Sequence, residues 1–364
     1  MDNNWQEFIC EVKQHTLEEL NLVFLRSLAD QLMIVDLPAA QDDLAALLCS
    51  KSRHINLEDR LLRVADIKRN IDQYTLLYDL LADDASRAVL LNLLNYYLYG
   101  RISFLAKTYT PLHNGYYFSP DWCNPPPGSV YVDCGSLDGL NVVEYATFYP
   151  DFARIYAYEP MAEWAEKIRA LGRELGIHDL VVQESAVGDY TGSVSFASAV
   201  PGSSKVSSGG TGDRIVRIAS LDADISEKID VVKMDIEGYE SEAIQGMRQH
   251  IMQETPYLAI CVYHKSGDIW RLQRQVLELN GSYTFYLRHY RPFSLNESVL
   301  FCVPAHYDRP APGSVLMRRT LETLYAKHRK TITNGLVWKT AESELFIRFL
   351  RQSGLFGLTH RQAS

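Results

Sequence analysis

An α/β fold built on a largely parallel sheet is predicted for this chain, and three observations predict it. Short apolar runs alternate with longer stretches of helical character, as at residues 130–134, 155–158, 180–183, 229–234 and 258–263. Several of these runs stop on a glycine or an acid, giving Asp133 with Gly135, then Glu159, then Asp235. In open α/β sheets the ligand crevice lies beyond the carboxyl ends of the strands, so acids and glycines there mark a site. Finally, 364 residues at 47% hydrophobic composition suffice for one large domain with additional segments.

Charge and cysteine usage narrow the function classes. A net charge of −9 and a pI near 5.6 argue against a general nucleic-acid binder, which carries a basic footprint. The cysteines Cys10, Cys49, Cys123, Cys134, Cys261 and Cys302 form no Cys-x-x-Cys pair, and the N-terminus lacks signal-peptide character. A reducing, cytoplasmic setting is expected. The densest apolar run, residues 88–106, is interrupted by Asn92, Asn95, Gly100 and Arg101. It is too broken for a membrane span and is expected as a buried helix.

From the N-terminus to about residue 103, Leu17, Leu20, Phe24, Leu28 and Leu32 form one helical stripe. Leu61, Val64, Ile67, Ile71, Tyr74 and Tyr78 form another, with Pro38 between the two and Asn56 or Asp59 as a cap. These helices could extend the core, cover the site or make a homo-oligomer; core extension is the expectation. Residues 109–127 are rich in proline, which forbids a regular element, and their aromatics, Tyr116, Tyr117 and Trp122 among them, are expected to anchor a connection to the core.

The stretch 130–139 reads as a buried strand turning sharply into a helix, where Gly135 and Gly139 let backbone N–H groups approach a ligand. Glu159, one strand and one helix later, stands where an acid accepts from a ribose diol. After the strand 180–183 come Ser185, Ala186 and a hairpin through Phe196. Residues 201–213 are rich in serine and glycine and are expected as a surface loop. The strand 229–234 delivers Asp235, Glu237, Gly238 and Glu240; so many acids in one turn face a cation, a hydroxyl donor or water. A helix N-terminus accounts for Glu240 but not for Asp235. The next strand carries His264 and Lys265 to the same edge, and later strands are expected at 283–288, ending at His289, and at 299–303. The tail, with Arg318, Arg319, Lys327, Arg329, Lys330 and Lys339, is locally basic and ends in a short amphipathic helix around Leu345–Leu350.

Taken together, residues 117–304 resemble the FkbM-type S-adenosylmethionine-dependent methyltransferases. Val-Asp-Cys-Gly-Ser-Leu-Asp-Gly (132–139) resembles the family's cofactor loop, Tyr-Glu-Pro (158–160) its ribose-binding acid, and Ile-Asp-Val-Val-Lys-Met-Asp-Ile-Glu-Gly-Tyr-Glu (229–240) its signature. Leu-Ala-Ile-Cys-Val-Tyr-His-Lys (258–265) and Tyr-Leu-Arg-His-Tyr (286–290) resemble later strands of a bacterial branch. Ser136 and Gln245 depart mildly from the usual residues.

The resemblance implies a Rossmann-like seven-stranded sheet, its last strand antiparallel. It also implies the organisation 1–108 helical segment, 109–304 methyltransferase domain, 305–364 basic helical tail. S-adenosylmethionine would lie against Asp133, Gly135, Ser136, Gly139, Glu159, Ser185, Ala186 and Asp235, with Asp133 accepting from its ammonium. Asp235, Glu237 and His264 would face the acceptor, His264 as the base because its unperturbed pKa near 6.5 suits neutral pH. The expected reaction is O-methylation of a saccharide or small-metabolite hydroxyl. A divalent metal on Asp235, Glu237, His264 and His289 is the less favoured arrangement. Two other functions compete: a non-catalytic binding protein on the same fold, and an NAD-dependent oxidoreductase, which should show Gly-x-Gly-x-x-Gly where this chain has Gly-Ser-Leu-Asp-Gly.

Overall fold

The computed structural model describes residues 2–31, 57–110, 116–119, 121–197, 205–206, 214–291 and 294–307. Pro38, Asn56, most of the serine-glycine stretch, and the basic tail with its expected helix lie outside the described residues.

Helices open the chain as the apolar stripes require: α1 (Asn3–Gln14), α2 (Leu17–Gln31), α3 (Leu57–Leu80), α4 (Asp84–Tyr99) and α5 (Ile102–Thr108). Asp2 caps α1 by accepting from the Trp5 N–H at 2.9 Å. Asp83 caps α4 through the Ser86 N–H at 2.7 Å. The run expected as one buried helix is two, because α4 stops at Tyr99, Gly100 caps it, and α5 begins after Arg101. Within α3, Asn70 leaves helical geometry and its side chain donates to Asp66, which kinks the helix.

The strands and helices that follow are β1 (Val130–Cys134), α6 (Leu140–Phe148), β2 (Arg154–Tyr158), α7 (Ala162–Leu175), β3 (Leu180–Gln183), β4 (Ser185–Val187), β5 (Gly192–Ala197), β6 (Lys205–Val206), β7 (Arg214–Ala219) and α8 (Leu221–Asp224). Then come β8 (Val231–Met234), α9 (Glu240–Gly246), α10 (Arg248–Gln253), β9 (Tyr257–Cys261), α11 (Asp268–Leu279), β10 (Tyr283–His289) and β11 (Ser298–Pro304). The strand expected over 258–263 ends earlier, at Cys261.

Seven strands form one sheet in the order β10-β11-β9-β8-β1-β2-β3. Its central strands β9, β8, β1, β2 and β3 pair in parallel, and β9, β8 and β1 are buried along their whole length, as strands covered by crossover helices must be. β11 runs the other way: the Tyr290 N–H donates to the Glu297 carbonyl at 2.9 Å and the Val262 N–H to the Ser298 carbonyl at 3.0 Å, joining strand ends to the β11 start. The order reverses at β1, flanked by β2 and β8, so the crossovers on its two sides diverge and leave a crevice beyond its carboxyl end. A smaller sheet, β4-β7-β5-β6, takes the chain away from the main sheet directly after β3.

The chain divides into two compact units that are not continuous in sequence. One gathers the described residues of Met1–Pro111, Val262–Arg274 and Thr284–Phe301; the other gathers those of Leu112–Cys261, Gln275–Tyr283 and Cys302–Ser364. In the first, buried Asp66 of α3 accepts from the Tyr74 hydroxyl at 2.7 Å and the Trp270 ring N–H at 3.1 Å. Ser86 Oγ of α4 accepts from the Leu287 N–H at 3.0 Å. The opening helices are thereby part of the same core as β10, by hydrogen bonds that span some 200 residues of sequence. Among the described residues no helix is long and apolar enough to cross a membrane.

Candidate functional site

The carboxyl ends of β1, β2 and β8 lie side by side, in register from Cys134 to Tyr158 and from Cys134 to Met234. Three loops leave this edge, and each is held by the others. The Gly135 and Ser136 N–H groups donate to the Tyr158 carbonyl at 3.0 and 3.1 Å. The Asp235 N–H donates to the Cys134 carbonyl at 3.1 Å.

Gly135 has φ +81°, and a Cβ there would stand 2.0 Å from the Asp235 carbonyl oxygen. Its glycine is required by the close approach of two protein loops as well as by its left-handed backbone, a reason beyond ligand access. Ser136 is buried, with its hydroxyl donating to the Asp133 carbonyl at 3.1 Å. Gly139 directly precedes α6 and its N–H donates to the Ser136 carbonyl at 2.9 Å, closing the turn.

Glu159 follows β2 and is 5% exposed. One carboxylate oxygen accepts from the Leu137 N–H and the other from the Met161 N–H, both at 2.9 Å. Burial pushes its carboxyl up to about 7, while those two amides pull it down. Glu159 thus braces the β1 loop at Leu137, which has φ +46° and needs such support. Ser185 and Ala186 lie in β4, buried and paired with Arg217 and Ile218 of β7, just past the Gln183 carbonyl that receives the Glu159 N–H.

Beyond β8 the acidic turn separates into different roles. Glu240 is buried at the start of α9, and its Oε1 accepts from the Ile236 N–H at 3.0 Å and the Gly238 N–H at 3.4 Å. It holds the turn from within. Glu237, partly exposed at φ +56°, is held in a backbone conformation uncommon for a non-glycine residue. Asp235, also partly exposed, accepts from the Tyr117 hydroxyl at 3.1 Å. Tyr117 anchors the connection, its carbonyl accepting from the Tyr257 hydroxyl at 2.9 Å, and its hydroxyl also reaches the strand-end acid.

Asp133 is wholly buried and faces Lys233, its partner in the β1–β8 register. The ammonium lies 3.1 Å from Asp133 Oδ1, an ion pair between the two strands. Burial pushes the Asp133 carboxyl up and Lys233 opposes that. Lys233 was not anticipated. Its only sequence signal is a lysine inside the apolar run Val-Val-Lys-Met.

His264 belongs to the other unit, in the segment that leaves β9. That segment is held by α3: Arg63, itself buried, donates to the Tyr263 carbonyl at 2.8 Å and Ser266 Oγ donates to the Leu62 carbonyl at 3.2 Å. The Tyr263 and His264 rings lie 4.1 Å apart. His289 is buried at the end of β10, its Nδ1 2.8 Å from Ser298 Oγ, and burial pushes its imidazole down to about 4.

The family model of the methyltransferase FkbM domain matches residues 133–290, from the β1 acid to the residue after β10. The structure of methyltransferase FkbM from Methylobacillus flagellatus KT is 25% identical, with a TM-score of 0.59 over 77% of this chain and 70% of that one. The chain thus has a counterpart of similar fold. An rRNA methylase from Streptococcus thermophilus is 15% identical, with a TM-score of 0.36 over 54% of this chain and 96% of that one. Aeropyrum pernix fibrillarin in complex with natively bound S-adenosyl-L-methionine is 12% identical, with a TM-score of 0.31 over 48% of this chain and 66% of that one. No curated protein matches the chain.

Proposed function

We propose that the FkbM domain transfers a methyl group from S-adenosylmethionine to a hydroxyl of a saccharide or small metabolite. The observation that carries the reading is Glu159: a carboxylate at the end of β2, tied to the β1 loop at Leu137 and to Met161, at the point where the sheet order reverses. The site's donor set fits that cofactor. Glu159 offers lone pairs to a ribose diol beyond the two it gives the backbone, and the Gly135–Gly139 turn presents main chain with no side chain at its ends. The loop lacks the middle glycine of the dinucleotide pattern, which counts against NAD.

S-adenosylmethionine supplies a methyl carbon already activated by its sulfonium. The chain's own work is therefore orientation and proton transfer. Gly135, Ser136 and Gly139 shape the loop, Glu159 holds the ribose, and Ser185 and Ala186 border the pocket after β3. Asp235, oriented by the Tyr117 hydroxyl, and Glu237 face the acceptor from the β8 turn. His264, carried just beyond β9, takes the hydroxyl proton in this reading. His289 is excluded from that role because it is buried with Ser298 as its partner. The acceptor is tested by deleting the gene and identifying which glycan or metabolite pool loses a methyl group; a saccharide or hydroxylated metabolite is expected, and loss from an amine or a carboxylate would contradict the O-methylation reading.

A further inference from the structure

We propose that Lys233 is a positioning residue for the cofactor loop, its buried ammonium gripping the Gly135 carbonyl and fixing the loop in the shape that receives the methyl donor. The inference rests on the reading of the Gly135–Gly139 turn given above.

Lys233 sits in β8 between Val232 and Met234, and its side chain is 2% exposed. Moving an ammonium there from water costs several kcal/mol, which a methionine or leucine in the same strand would not incur. Within the sheet the charge meets Asp133 of β1. What the charge reaches is the loop: Nζ donates to the Gly135 carbonyl at 2.6 Å and to the Cys134 carbonyl at 3.3 Å. It also lies 5.4 Å from the centre of the Tyr117 ring, whose hydroxyl meets Asp235.

A simpler role would be to neutralise Asp133. The distances favour the loop. The contact with the Gly135 carbonyl is the shorter, 2.6 Å against 3.1 Å to Asp133 Oδ1. Gly135 is moreover gripped from two sides, by Lys233 at its carbonyl and by the Asp235 carbonyl against its Cα. Asp133 on this account holds the ammonium in place from the neighbouring strand.

The test uses the full chain and the variants Lys233→Met, Asp133→Asn and the pair combined. It reads S-adenosylhomocysteine Kd by calorimetry, hydrogen exchange of the 135–139 amides before ligand is added, and Kd against kcat. Loss of a charge-assisted hydrogen bond predicts a Kd about tenfold weaker in Lys233→Met. The double variant should remain about tenfold weaker than Asp133→Asn alone, with faster loop exchange in the free protein and kcat at saturating donor changed less than Kd. If Lys233→Met leaves Asp133 so costly that the chain does not fold, the double variant, with no buried charge, carries the comparison. A double variant matching Asp133→Asn in both Kd and loop exchange would overturn the proposal, leaving Lys233 only as a counter-charge. Should the unaltered chain fail to bind S-adenosylhomocysteine, the donor reading falls, and loop exchange in the free protein decides on Lys233: faster exchange in the double variant than in Asp133→Asn supports the grip, equal exchange overturns it.

Discussion

Gly135→Ala is the substitution whose outcome the geometry constrains most tightly. Two penalties act on the added methyl. At φ +81° an L-residue is disfavoured by about 1–2 kcal/mol. The Cβ would also stand 2.0 Å from the Asp235 carbonyl oxygen and 3.2 Å from Ile236 Cγ2, so the β1 and β8 loops must separate; overpacking of this kind costs about 1–3 kcal/mol or more. Together the loss is about 2–5 kcal/mol, a fall in Tm of roughly 3–7 °C for a chain of 364 residues. Gly128 supplies the control, because its φ is +77° yet no atom lies within 4 Å of its Cβ position. Gly128→Ala should lose only the backbone penalty, about 1–2 kcal/mol. Calorimetric melting of the two variants isolates the clash, and S-adenosylhomocysteine binding should weaken only in Gly135→Ala. Equal melting temperatures for the two would refute the close approach of the loops.

The remaining outcomes follow from the same edge of the sheet. With the Glu159 carboxyl pushed up to about 7, S-adenosylhomocysteine affinity should fall by up to about tenfold per pH unit below neutrality, and Glu159→Gln should flatten that profile; a pH-independent Kd in the unaltered protein would contradict it. The sign for stability is opposite: a folded pKa above the ordinary 4.5 means that the folded state holds the proton more tightly, so the Glu159 contribution to ligand-free stability is greatest below pH 4.5 and declines by about 3 kcal/mol as pH rises through 7, measurable by denaturant titration of the unaltered protein against Glu159→Gln. His264→Ala should lower kcat by about a hundredfold or more with S-adenosylhomocysteine Kd unchanged; full turnover would remove the base assignment. Tyr117→Phe removes the donor to Asp235 and should cost about 1 kcal/mol, read as a several-fold change in kcat/KM for the acceptor while donor Kd stays within about twofold.

What the sequence made legible follows the range of the interactions. Apolar runs ending at Asp133, Glu159 and Asp235 mark parallel strands because burial on both faces leaves a local signature, and those ends do lie side by side. The helical stripe from Val64 to Tyr78 is buried as its spacing requires, and the break after Tyr99 required only that Gly100 be given its weight as a terminator. What stayed hidden depends on pairing distant segments. Tyr117 meets Asp235 across 118 residues, Lys233 meets the Gly135 carbonyl across 98, and Arg63 meets the Tyr263 carbonyl across 200. No local period encodes such contacts. Glu240 is legible as a helix-start acid, but its grip on the Ile236 and Gly238 amides depends on the fold of the turn. Of the small sheet β4-β7-β5-β6 a hairpin was visible and the parallel pairing of β4 with β7 was not, because that pairing joins residues some 32 apart.

The central claim is that the crevice beyond β1 is built for S-adenosylmethionine. Isothermal titration of the full chain with S-adenosylhomocysteine and with NAD tests it most directly. Saturable binding of S-adenosylhomocysteine, weakened by Glu159→Gln, with no heat from NAD, is the predicted result. Binding of NAD, or S-adenosylhomocysteine binding indifferent to Glu159→Gln, would contradict it.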